Sequence, residues 1–195
     1  MPAFPRAEIQ EMVDRFDRAM RKAEVTHDWT ELGSLYTEDA RYGWYLGHDE
    51  EVMLVGREQI ANNVMGTEME GFEGWSFEYI RSIIDEEQGE VVSFSPYNTG
   101  KFRKDGTPYQ ISGFTGSWFH YGGNFQWSWQ RDFVDVTNLR AGMGEMLNAG
   151  VLGEGIRKLR EARAADPEAG FKLPGHYRIG KSPIPIWELA PLPKP

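Results

Sequence analysis

The spacing of apolar residues changes along the chain, from helical in the first third to strand-like in the middle. Ile9, Met12, Val13, Phe16, Met20 and Ala23 recur at helical spacing with Glu, Asp, Arg and Lys between them, which predicts an amphipathic helix of about four turns. Leu32, Leu35 and Tyr36 mark a second, short helix opened by Asp28-Trp29-Thr30. Thr37-Glu38-Asp39-Ala40 then reads as a turn into an aromatic strand over 41–46, and Gly47 to Glu51 as a solvated loop. Gly56-Arg57-Glu58-Gln59-Ile60 opens a third helix that runs to about Met65, and an acidic loop follows over 66–74.

Beyond that loop the period shortens to two. Extended segments are predicted over 75–84, over 90–102 with Pro96 marking a bulge or edge, and over 109–121 and 125–136. Lys104-Asp105-Gly106 reads as one hairpin turn and Gly122-Gly123 as another. Two further helices are predicted over 138–149 and 154–165, separated by Gly150 and Gly153, before a proline-rich segment carrying Phe171, Leu173, Ile179, Ile184, Ile186, Trp187 and Leu189. Three helices followed by a meander of antiparallel strands predict an α+β fold, a curved sheet wrapped around the N-terminal helices. The expected division is residues 1–140 as this domain and 141–195 as helices and a proline-rich arm packed on it or on a neighbouring subunit.

The stretch 124–135 alternates throughout. Phe125, Trp127, Trp129, Arg131 and Phe133 fall on one predicted face, and Gln126, Ser128, Gln130 and Asp132 on the other. The first face carries large aromatics that should not stand in water, and the expectation is a homo-oligomer, dimer or trimer, sealed there or by the arm. The second face presents hydrogen-bonding groups and a carboxylate suited to lining a cavity.

Composition narrows the functional classes. Aromatics make up 13% of the chain and argue against disorder. No cysteine is present, which removes disulfides, zinc-thiolate sites and a cysteine nucleophile. The net charge of −9 disfavours nucleic acid and anionic membrane as partners. No apolar run reaches membrane-spanning length, and Met-Pro-Ala-Phe-Pro-Arg-Ala-Glu lacks the order of a secretory signal, so the expected location is cytoplasmic. His48 sits among Asp49, Glu50 and Glu51 without a second histidine at ligand spacing; no metal is expected. No Gly-rich nucleotide motif is present, and no cofactor is expected.

The ordered set of elements resembles the nuclear transport factor 2-like superfamily, which includes ketosteroid isomerases, scytalone dehydratase, limonene-epoxide hydrolases and polyketide cyclases. The resemblance covers roughly 7–140. It is carried by the long first helix, Asp28-Trp29, Leu35-Tyr36-Thr37-Glu38-Asp39-Ala40, Gly56 to Ile60 and the long final strands. It implies a cone with a deep pocket between helices and sheet, and chemistry without a cofactor. Arg131-Asp132-Phe133-Val134-Asp135 is similar to the Arg-Asp-aromatic-x-Asp stretch of limonene-epoxide hydrolases, where the first Asp is a catalytic acid. Those hydrolases also use an Arg-x-Asp that Ser95-Pro96-Tyr97-Asn98 does not supply, which argues against epoxide hydrolysis. The ketosteroid isomerase base position falls on Trp44. Scytalone dehydratase places a tyrosine near Trp44 and a histidine near Tyr97, and both residue types differ here.

The candidate catalytic residues are therefore Asp132, as a carboxylate in an apolar pocket; Tyr97, as a phenol orienting an oxygen or acting as an acid; His120, as a titratable strand residue; and Asp39, on a segment where some relatives carry a carboxylate. Trp44, Tyr42, Trp75 and Trp118 are the expected aromatic cage, with Asn98, Ser128 and Gln130 as donors to the substrate. The leading expectation is a cofactor-independent lyase acting on a small hydrophobic aromatic molecule, most sharply the non-oxidative release of formaldehyde from a lignin-derived diaryl compound. A dehydratase, isomerase or cyclase of a polycyclic or polyketide substrate would use the same parts. A non-catalytic protein that carries a hydrophobic ligand is the other alternative, marked by an exposed, salt-bridged Asp132.

Overall fold

The computed structural model describes residues 4–111 and 113–188; Leu189 of the proline-rich segment lies outside them. Helix α1 spans Arg6–Thr26 and buries Ile9, Met12, Val13, Phe16 and Ala23. Its outer face is tied by intrahelical pairs such as Arg15–Glu11 and Arg21–Asp17. His27 ends it in the left-handed conformation (φ 58°), with its amide on the Ala23 carbonyl. The short second helix is a 3-10 turn, Thr30–Leu35. Helix α2 is α-helical over Arg57–Gln59 and widens to a π-helix over Ile60–Val64.

Strand β1 is longer than the pattern predicts. It spans Tyr36–Tyr45, so 37–40 is strand and not turn, and Asp39 is an exposed strand residue. The chain then forms β2 (Glu50–Val55), β3 (Arg81–Asp85), β4 (Glu90–Phe94), β5 (Tyr97–Phe102), β6 (Pro108–Ile111), β7 (Gly116–Tyr121), β8 (Trp127–Phe133) and β9 (His176–Arg178). Three predicted long strands are each shorter or divided. Only 81–85 of the first is regular strand; Pro96 separates β4 from β5; and a break at Gly113 (φ 116°) separates β6 from β7. Strands β2 and β9 have no period-two signal. Every residue of β2 except Val55 is buried, because both its faces are covered.

The main sheet has seven strands in the order β3-β4-β7-β8-β1-β2-β9, and β5-β6 form a separate hairpin. The sheet is mixed and not a simple meander: β8 returns parallel to β1 at its centre. Against its inner face pack α1, the 3-10 turn and α2, giving a core of Phe16, Trp29, Leu32, Tyr36, Tyr42, Ile60, Phe119, Tyr121 and Trp127 with their neighbours. A second, smaller core joins Trp75, Tyr109 and Ile111 to Met146, Leu152 and Ile156. The last four come from β6, α3 (Val136–Asn148), the α3–α4 loop and α4 (Glu154–Ala165).

The alternation through 125–135 does not survive intact. The β7–β8 register shifts between His120 and Tyr121, with Tyr121 opposite Trp127 and His120 opposite Trp129. This bulge turns Trp127 inward. It stacks on Phe119 (centroids 4.7 Å) and meets Phe16 from α1. Trp129 and Arg131 stay on the outer face. There the proline-rich segment lies across them as a strap: the Trp129 indole donates to the Glu188 carbonyl (3.0 Å), and Ile186 packs on Gly43. A side chain at Gly43 would meet the Ile186 side chain at 3.1 Å and the Val52 carbonyl at 2.4 Å. Among the described residues no helix is long and apolar enough to cross a membrane.

Candidate active site

Asp132, near the end of β8, points to the inner face, where the two cores meet. Its register partner on β1 is Trp44, and Gln130 stands opposite Tyr42. Three donors converge on the Asp132 carboxylate. Tyr42 donates its hydroxyl to Oδ2 (2.5 Å), Ser117 donates to Oδ1 (2.6 Å), and the Gln130 amide nitrogen donates to Oδ1 (2.7 Å). The Tyr36 hydroxyl donates to the Gln130 amide oxygen, which fixes the amide so that its nitrogen faces Asp132. Ser117 accepts in turn from Gln130 (3.2 Å) and Tyr79 (3.3 Å). Three protons are directed at the carboxylate, and those of Tyr36 and Tyr79 at the groups that hold it. Three donors and no acceptor face the group, so the arrangement fits an ionised Asp132 at rest.

Burial pushes the Asp132 carboxyl up, and the hydrogen bonds from Ser117, Tyr42 and Gln130 oppose that rise; the net position is above the ordinary value. Burial, reinforced by the Asp132 charge, keeps the phenols of Tyr42, Tyr79 and Tyr97 protonated well beyond the ordinary range. Of the four lone-pair positions on the carboxylate, one on Oδ2 has no donor among the described residues. The Tyr97 hydroxyl likewise makes no hydrogen bond among them, and its ring packs edge-on to Phe77 (4.9 Å). Trp44 packs edge-on to Tyr42 (5.5 Å). The result is a carboxylate with one free acceptor position in a wall of aromatic rings.

The sequence candidates separate into those that reach this centre and those that do not. Asp132, Gln130, Tyr42 and Trp44 come together, and Tyr97 lies within reach of the Asp132 charge. Ser128 falls at the bulge, and its hydroxyl is directed at the His120 carbonyl (3.4 Å). His120 and Trp118 lie on the outer face, with Trp129 packed against both rings. Burial and the nearby Arg131 charge push His120 down to about 4, so it is neutral. Its Nε2 lies 3.2 Å from Glu90 Oε1 but is not aligned for a hydrogen bond. Trp75 belongs to the second core, where it stacks on Phe77. Asn98 is exposed and pairs with Ser76 through the backbone. Asp39 is exposed and accepts from Thr37 (2.9 Å). Three participants are new: Tyr36, Ser117 and Tyr79. The inward phase of β7 and β1 gives Ser117 and Tyr36 a sequence signal once Asp132 is placed; Tyr79 stands outside regular structure and has none.

Among the surface concavities of the described residues, one of about 230 Å³ lies beside Trp29, Met65 and Met69 and one of about 450 Å³ beside Arg57 and Ala61; Asp132 lines neither of these two. No cluster suited to a metal ion occurs among the described residues.

No family model matches the chain, and no curated protein matches it. Solved structures do share its fold. PrhC from Penicillium brasilianum aligns over 78% of this chain and 96% of its own at 12% identity, with a TM-score of 0.54. An LEH-like epoxide hydrolase from M. tuberculosis aligns over 74% and 96% at 18% identity and 0.52. An NTF2-like protein from Anabaena variabilis aligns over 67% and 92% at 16% identity and 0.50. The chain therefore has the nuclear transport factor 2-like fold. At these identities the likeness establishes architecture, and the chemistry rests on the residues.

Proposed function

We propose that this protein is a cofactor-independent enzyme that uses Asp132 as a general base on a hydrophobic aromatic substrate. The observation that carries this reading is the Asp132 carboxylate itself: half-buried on the inner face, free of any salt bridge among the described residues, held by three neutral donors and left with one free acceptor position. A carboxylate raised by burial and fixed in orientation is suited to take a proton near neutral pH. Tyr97, kept protonated beside it, serves as the acid or oxygen-positioning donor. Trp44, Tyr42, Phe77 and Tyr79 supply ring surfaces and exclude water.

The narrower reading is a lyase acting on a diaryl compound that carries a hydroxymethyl group next to a benzylic alcohol. Asp132 takes the proton of the hydroxymethyl oxygen. The bond to that carbon breaks and formaldehyde departs. The electron pair forms a carbon–carbon double bond as the benzylic hydroxide leaves, protonated by Tyr97 to water. Return of the proton from Asp132 to Tyr97 resets the site. A dehydratase or isomerase would use the same base and donor on a different bond.

One observation favours a second reading, a non-catalytic carrier: neutral neighbours already occupy three of the four acceptor positions of Asp132. The two separate in an assay of wild type and Asp132→Asn against phenolic diaryl and steroid-like compounds, read by mass spectrometry with no cofactor added. Turnover by wild type that falls more than about 100-fold in the variant supports the enzyme. Equal binding by both proteins without turnover supports the carrier. A second copy of the chain is the proposed partner, covering the outer-face rings of Phe94, Phe114 and Phe133, which stack beyond the strap.

A further inference from the structure

Arg131 is the charge this fold explains least. Its side chain is 1% exposed, and no carboxylate pairs with it among the described residues. Its Nε donates to the Ile186 carbonyl (2.5 Å), and its Nη1 to those of Arg41 (3.0 Å) and Gln130 (2.7 Å). The guanidinium lies 4.3 Å from the Trp129 ring centroid, and Nη2 has no partner among the described residues. Glu188 on the strap pairs with Arg41 instead (3.0 Å). Buried cations without an anion are strongly destabilising and seldom retained.

The chain places a carboxylate next to it. Arg131 and Asp132 are consecutive on β8 and point to opposite faces, so one thickness of sheet separates their charges. The strap keeps water from the guanidinium, and without water between them two charges are weakly screened. We propose that Arg131 is a positioning residue for Asp132: held dry beneath the C-terminal strap, its charge acts through the sheet and keeps the carboxylate ionised. The strap thereby contributes to a site on the face it does not touch.

The surroundings leave this role to Arg131. It is faced by Arg41 and Tyr45 from β1, Glu188 from the strap and His120 from β7, with the Arg41–Glu188 pair internally compensated and His120 neutral, while Glu90 of β4 lies against His120 and Trp118. Asp132 is faced on its own side by Tyr42 and Tyr36 from β1, Ser117 from β7, Gln130 from β8, and Tyr79 and Tyr97, all uncharged near neutrality. The coupling also runs back: burial and the neighbouring Arg41 bring Arg131 down to about 9, and Asp132 opposes that fall.

The functional meaning rests on Asp132 being the base, but the coupling can be measured without substrate. The Asp132 carboxyl carbon, identified by loss of its signal in Asp132→Asn, is titrated by ¹³C NMR in wild type, Arg131→Met and Arg131→Lys, with melting temperatures recorded alongside. Arg131→Met is expected to raise proton affinity at Asp132 about tenfold, the effect of one charge at this separation, and Arg131→Lys to restore the wild-type midpoint. Ile186→Asn, which loosens the strap while leaving both charged side chains and the carbonyl that Arg131 contacts in the chain, is expected to shift the midpoint in the same direction by less, and it serves if Arg131→Met does not fold. Lower melting temperatures with unmoved titrations would make Arg131 a strap anchor alone and overturn the proposal. Absence of turnover would sink the enzyme reading and leave this result standing.

Discussion

His176 on β9 is clamped between two carboxylates, and the clamp makes stability depend on pH in a way that can be computed in advance. Its side chain has no exposed surface. Nδ1 lies 2.6 Å from Glu50 and Nε2 lies 2.9 Å from Glu68, while Arg163 of α4 reaches Glu50 at 2.5 and 2.8 Å. Burial alone would pull the imidazole down; the two carboxylates outweigh it and raise the group from 6.5 to about 9. The same contacts bring Glu50 down to about 2 against its own burial. The two figures describe one coupled cluster and are not added. A raised folded value means that the imidazolium stabilises the fold fully below about 6.5, and that this contribution is lost as pH rises through about 9. Moving from 6.5 to about 9 corresponds to about 3 kcal/mol at 1.36 kcal/mol per unit. For a chain of this size that is a fall of roughly 10 °C in melting temperature. The assay is thermal unfolding of wild type and His176→Gln at pH 6 to 10. The variant is expected to be less stable by about 3–5 kcal/mol at pH 6, because it leaves buried charge uncompensated, and the gap should close by about 3 kcal/mol near pH 9. Two curves that run parallel between pH 6.5 and 9 would show that His176 is neutral in the folded protein and refute the reasoning.

Other consequences follow from the site and the sheet. If turnover is found, its rate should fall as pH drops through an Asp132 midpoint above the ordinary carboxylate value, the direction set by burial; a pH–rate profile flat down to pH 4 would exclude Asp132 as the base. Trp127→Ala removes a ring that is 1% exposed and packed on Phe119 and Phe16, and should cost about 3–5 kcal/mol in urea unfolding; a loss below about 1 kcal/mol would restore the outward placement. Gly43→Val forces a side chain against Val52 and Ile186 and should release the strap, read as faster proteolysis near Ile186. Phe114→Asp, at a ring that is 69% exposed, should convert a sedimenting oligomer to monomer if a second copy covers that patch.

The sequence by itself determined the helices and most, not all, of the strands. The 3.6-residue spacing of Ile9 to Ala23, the aromatic run into Trp44 and the apolar stripes of 138–149 and 154–165 each state a local preference that packing then honoured. Asp132 was marked by its phase with Gln130 on that strand together with the resemblance of Arg131-Asp132-Phe133-Val134-Asp135 to limonene-epoxide hydrolases. Only the tertiary structure decided which face was which. A one-residue bulge opposite His120 inverts Trp127, and periodicity carries no trace of an inserted residue until the partner strand is known. Only the fold joined Tyr36, Ser117 and Tyr79 to Asp132 and took His120, Trp118, Asn98 and Asp39 away, since strand order is set by non-local pairing. Strand β2 stayed illegible for a related reason: a strand covered on both sides has no alternation, and the strap and the His176 clamp that cover it lie more than a hundred residues further along the chain.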